Sequence, residues 1–145
     1  MKYYLTVFLI ILPVILFQLP GLEAVEKDIT LSKKEIFRIW ALADIQPKNT
    51  GQKASFTQAI NDINNNVPNV KFSIVAGDIV HKTESETFDW YLNERSKSYI
   101  TDWYEIIGNH DLKSDRGKLF KEKLREETHY SKQYGNLLFI FLSDE

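Results

Sequence analysis

Residues 104–111 read YEIIGNHD. An apolar run stops at Gly108, and an amide, an imidazole and a carboxylate follow it without a gap. Two earlier stretches end in a similar way. Residues 35–43, EIFRIWALA, lead into Asp44 and Gln46, and Val70–Ala76, VKFSIVA, lead into Gly77 and Asp78. All three runs are rich in β-branched and aromatic residues, which marks them as strands. Between the first two, Phe56, Ala59, Ile60, Ile63 and Val67 recur at helical spacing and form one apolar face. A second helix is expected over residues 84–97, with Phe88, Tyr91 and Leu92 on one side, and a third over 117–127, with Leu119, Phe120 and Leu124. Residues 129–142, HYSKQYGNLLFIFL, read as two strands around a turn at Gly135-Asn136.

The order β-α-β-α-β-α-β-β describes an α/β chain. Successive strands joined by helices run parallel. The ends at Asp44, Asp78 and Asn109 therefore share one edge of a sheet, where open α/β sheets carry their sites. Five side chains would converge there: Asp44, Gln46, Asp78, Asn109 and His110. Gly77 and Gly108 fit tight turns that bring backbone close to a ligand. A single aspartate after a strand is ordinarily a turn or cap residue. Three of them, with Gly77 and the run Gly108-Asn109-His110, ask for more than caps.

Composition narrows the chemistry. The chain has 145 residues, enough for one domain, and a net charge of -2 with no basic block. A nucleic-acid partner is not expected. There is no cysteine, so disulfides, thiolate nucleophiles and Cys-ligated metals are excluded. A metal would be held by oxygen ligands and imidazole. His81, three residues past Asp78, reads as a loop residue that could face the site. His129 reads as a strand-edge residue, Trp40, Trp90 and Trp103 as packing, and the charged run 118–127 as a solvated helix face.

The first residues have a different character. Lys2 precedes a nearly continuous apolar run, and QLPGLEA then brings helix breakers and Ala24. This is the layout of a secretory signal peptide, and the apolar run is shorter than the roughly 20 residues of a membrane span. The expected organisation is a signal peptide over 1–24, a lead-in over 25–34 and a partial domain over 35–145. The rest of the chain is expected to be exported, secreted or periplasmic. A membrane association is expected only if the segment is kept as an anchor.

The segments ALADIQ, VAGDIVH and IIGNHD resemble, in order and spacing, the first three sequence blocks of the calcineurin-like metallophosphoesterases. The resemblance implies the N-terminal half of a metallophosphoesterase-type β-sandwich flanked by helices. It also implies a dinuclear site in which two divalent cations clamp a phosphoryl group. Carried over, Asp44 would bind the first metal, Asp78 would bridge both and Asn109 would bind the second. His110 would serve the leaving-group oxygen without being a ligand. Asp111 would accept a hydrogen bond from the other ring nitrogen and orient it.

Two departures matter. Gln46 stands where most members have histidine, and an amide oxygen favours hard cations, which puts Mn²⁺ first, with Fe, Zn or Mg as alternatives. The later histidines of the family have no counterpart, since His129 is the only histidine after Asp111. The expected function is hydrolysis of phosphomonoester, phosphodiester or diphosphate bonds in a phosphorylated small molecule, at a centre that is incomplete in this chain. The alternative is a non-catalytic binding protein that keeps the fold. LLFIFL, apolar on both faces, is expected to need cover on both.

Overall fold

The computed structural model describes residues 37–143. The signal-peptide and lead-in expectations lie outside the described residues. Three strands, β1 (Arg38–Leu42), β2 (Val70–Ala76) and β3 (Trp103–Ile106), form a sheet in the order β1-β2-β3. Both pairings are parallel. The helices α1 (Thr50–Asn66) and α2 (Ser85–Arg95) make the crossovers. Two short helices follow, α3 (Asn109–Leu112) and α4 (Lys118–Lys123). A separate antiparallel hairpin closes the described part, β4 (Tyr130–Tyr134) with β5 (Leu137–Phe141).

Strand alternation divides the core in two. Val75 and Trp103 face the helices and pack with Phe56, Ile60, Phe88, Tyr91 and Phe120. Phe72 and Tyr104 face the other way and pack with Phe141 of the hairpin. The result is a sheet with helices on one face and a hairpin on the other. The three tryptophans pack: Trp40 meets Trp103 edge-on at 5.7 Å, and Trp90 meets Phe56 at 5.8 Å.

Local chemistry explains most element ends. Asn49 caps α1 by accepting from Gln52 N at 3.0 Å. The single helix expected over 117–127 is shorter than that, and an unforeseen turn of helix precedes it. Gly117, with φ 79°, separates α3 from α4. Asp115 then caps α4 through the N–H groups of Gly117 and Leu119. After Leu124 the chain departs, and the Arg125 guanidinium lies 3.9 Å over the Tyr130 ring. Under β3, Glu105 is 2% exposed and is held by the Tyr91 hydroxyl at 3.0 Å and by an ion pair with Arg95.

The hairpin has two unlike faces. Phe139 and Phe141 turn inward, whereas Leu138, Ile140 and Leu142 are 62%, 63% and 68% exposed. These residues make a contiguous apolar strip of the kind that drives association. The double substitution Leu138→Lys/Ile140→Thr should therefore raise solubility. It should change stability by no more than about 0.5 kcal/mol, as expected for exposed positions. Light scattering at fixed concentration and the thermal midpoint would check the two halves of this expectation.

Candidate metal centre

Three loops meet at the C-terminal edge of the sheet. Asp44 N donates to Gly77 O at 3.3 Å and Gln46 N donates to Asp78 O at 3.1 Å, which laces the first two loops together. The third loop comes closer still. A Cβ on Gly108 would sit 2.3 Å from Asp78 N and 2.5 Å from Asp78 Oδ1. Only glycine lets the backbone through at that distance.

Asp111 fastens the second loop to the third. Its side chain is fully buried. Oδ1 accepts from Ile79 N and Val80 N, each at 3.0 Å, and Oδ2 accepts from Gly108 N at 2.9 Å. Burial pushes this carboxyl above its ordinary range, and the N–H groups of Val80, Gly108 and Ile79 pull against that. The sequence resemblance expected Asp111 to orient His110; in the structure its hydrogen bonds go to these three backbone donors and none joins it to the His110 ring. The His110 ring lies over the His81 ring instead, with centroids 5.4 Å apart and planes at 29°. Lys113 Nζ stands 2.9 Å from the His110 ring nitrogens.

The expected ligand residues are brought together. Asp44 and Asp78 both adopt left-handed backbone, φ 53° and 54°. This conformation is uncommon outside glycine, and where it clusters it marks sites held in place by their surroundings. The Gln46 amide nitrogen spans the two carboxylates, 3.4 Å from Asp44 Oδ1 and 3.4 Å from Asp78 Oδ2. Its own Oε1 is buried without a partner. One terminal atom of the Asn109 amide lies 3.2 Å from both Asp78 oxygens. With nitrogen there, the amide donates twice. With oxygen there, acceptors face one another, and only a cation stabilises that. His110 N donates to Asp78 Oδ1 at 2.9 Å, which fixes the carboxylate. The loops border a cleft of about 310 Å³ that includes Asp44, Asp78, Asn109 and Ser143.

This donor set fits a hard divalent cation. Cis ligands of an octahedral ion with bonds of about 2.1 Å lie about 3 Å apart, near the separations seen between these amides and Asp78. Turning the Gln46 amide over would likewise set its oxygen against Asp44 Oδ1 and Asp78 Oδ2, where only a cation would give it a partner. The set is sparse, however. Among the described residues, no group of three or more His, Asp or Glu side chains is arranged to hold a metal. His129 is not part of the centre, and its Nδ1 accepts from Ser143 N at 3.2 Å.

The family model for calcineurin-like phosphoesterases matches residues 37–144. The chain belongs to that family. A solved structure similar to this chain is a purple acid phosphatase isolated from yellow lupin (Lupinus luteus) seeds. The two share 14% identity at a TM-score of 0.57, over 73% of this chain and 24% of the lupin chain. At that identity the likeness speaks for the fold: a mixed α/β sheet with helices, matching part of a metallophosphoesterase fold. The calcineurin-like chain thus spans about a quarter of the length of the phosphatase it matches. No curated protein matches it.

Two features of this chain went unread in its sequence. Lys113 follows His110 by three positions, the spacing of neighbours on a helical turn. Asp111 stands at the third position of that turn, where a carboxylate reaches back to the preceding backbone N–H. Both signals become visible only once residues 109–112 are known to be helical.

Proposed function

We propose that this chain carries a metal-dependent phosphoesterase site with Asp44, Gln46, Asp78 and Asn109 as the protein's oxygen ligands. The observation that supports it most is the pair of amides set against the Asp78 carboxylate, with Gln46 Oε1 buried and unpartnered. Asp78, with two oxygens to give, would serve two cations, with Mn²⁺ as the first candidate. When bound, such cations polarise phosphoryl oxygens and activate water. His110 would stand at the leaving-group oxygen, to donate a proton or to stabilise charge there. His110 N would hold the Asp78 carboxylate, and Asp111 would hold the loops. The substrate would be a phosphorylated small molecule, and the protein would be exported or N-terminally anchored.

Mn²⁺ titration of the full chain tests the reading, together with hydrolysis of an aryl phosphate. Mn²⁺ should bind, and hydrolysis should exceed the protein-free rate only with metal present. Asp78→Asn should weaken Mn²⁺ by at least tenfold, in the range that loss of a supporting ligand interaction costs, and should abolish hydrolysis. Binding that Asp78→Asn leaves intact would sink the assignment. With two carboxylates and two amides, affinity should be weak and turnover slow. The sparse donor set also supports a second reading, a binding protein that keeps the centre without catalysis. Mn²⁺-dependent binding of phosphate esters without turnover would select it.

A further inference from the structure

A fourth strand end reaches the candidate centre. The cleft of about 310 Å³ that Asp44, Asp78 and Asn109 border is also bordered by Leu142 and Ser143, the two residues after β5. The first three strand ends arrive there because parallel neighbours end on one edge. β5 belongs to the other sheet and pairs antiparallel with β4, so strand order does not account for its place. Burial does not hold it there either, since Leu142 is 68% exposed.

Two hydrogen bonds do, and they have different parts. Ser143 N donates to His129 Nδ1 at 3.2 Å. His129 stands directly before β4, so this bond closes the open end of the hairpin and fixes the backbone of Ser143. Ser143 Oγ donates to Ile107 O at 3.3 Å. Ile107 precedes Gly108, so the hydroxyl stands at the loop that sets Asn109 against Asp78. A hydroxyl donor ordinarily reaches its acceptor at about 2.5–3.0 Å. Ile107 O therefore holds the proton loosely. Rotation about one side-chain bond turns it toward an anion in the cleft, while His129 keeps the residue in place. Such an anion needs a donor there. Asp44 and Asp78 repel it, and the Asn109 amide is set against Asp78. Ser143 brings a neutral donor to the same wall.

We propose that Ser143 binds a phosphoryl oxygen of the substrate through its hydroxyl, and that His129 is the positioning residue that holds Ser143 to the centre. The proposal rests on the phosphoesterase reading above and adds a group that none of the first three loops supplies.

Binding of inorganic phosphate to the Mn²⁺-loaded full chain, followed by calorimetry, reads this contact without turnover. Mn²⁺ titration of each variant reads the metal ligands separately. Ser143→Ala should weaken phosphate by about threefold to tenfold, as the loss of one neutral hydrogen bond does, with Mn²⁺ affinity within twofold of the parent. Ser143→Thr keeps the hydroxyl and should stay within twofold for both. His129→Leu should weaken phosphate as Ser143→Ala does, and His129→Asn, whose amide oxygen accepts from the same N–H, should restore it. An equal fall in Mn²⁺ affinity for Ser143→Ala would make Ser143 a clasp on the third loop and overturn the proposal. Phosphate affinity unchanged by His129→Leu would overturn the part given to His129. Absence of Mn²⁺ binding by the parent would remove the phosphoesterase reading and this proposal together. Mn²⁺ binding with phosphate affinity unchanged by Ser143→Ala would remove this proposal alone.

Discussion

On the proposed phosphoesterase reading, Gly108→Ala should cost at least about 100-fold in Mn²⁺-dependent hydrolysis, the scale on which a misplacement near 1 Å acts. The added methyl would have to occupy space 2.3 Å from Asp78 N and 2.5 Å from its Oδ1. Neither atom can yield alone. Asp78 N belongs to the backbone, and Oδ1 is held by His110 N. The second and third loops would have to separate, which moves Asp78 away from Asn109. Gly51→Ala offers the comparison, since a Cβ there meets only Asn49 Oδ1, at 3.4 Å. It should leave the centre untouched and stabilise α1 by about 0.5–1 kcal/mol. Equal hydrolysis by the two variants, measured at saturating Mn²⁺, would refute the argument from close approach.

Asp111→Ala should be strongly destabilising, by roughly 4–5 kcal/mol. Three backbone N–H groups lose their acceptor, at about 1–3 kcal/mol each where water cannot replace it. A domain of ordinary stability has only about 5–15 kcal/mol to lose. The variant should unfold at a much lower denaturant concentration, and it should lose Mn²⁺ affinity even where it stays folded. Asp111→Asn keeps the shape but turns one end of the group into a donor facing a donor. It should fall between the parent and the alanine variant. A midpoint for Asp111→Ala within error of the parent would show that the carboxylate does not tie the loops.

The strands were legible because each is a short run of β-branched and aromatic residues bounded by glycine, proline or polar residues. Val70–Ala76 carries both signals and has the expected limits. The third helix was not legible at its ends. Its apolar spacing continues past Lys123, while the departure of Arg125 toward Tyr130 depends on a residue in another element. The meeting of Asp44, Gln46, Asp78 and Asn109 followed from strand order alone, since parallel neighbours put their C-terminal ends on one edge. The partner of Asp111 did not. Adjacency in the chain pointed to His110, whereas the atoms that hold it are Ile79 N and Val80 N from a loop some thirty residues earlier. A local reading favours the neighbour in sequence, and the fold supplied a closer set of donors.

The left-handed backbone at Asp44 and Asp78 narrows what can replace them. Aspartate and asparagine tolerate that conformation far better than other residues with a side chain. Asparagine keeps the shape and loses the charge. On the proposed reading, a lineage could therefore retire the chemistry at either position by exchanging one oxygen for an amide nitrogen, without remodelling a loop. An active and a silent form would then share one scaffold, a mutational step apart.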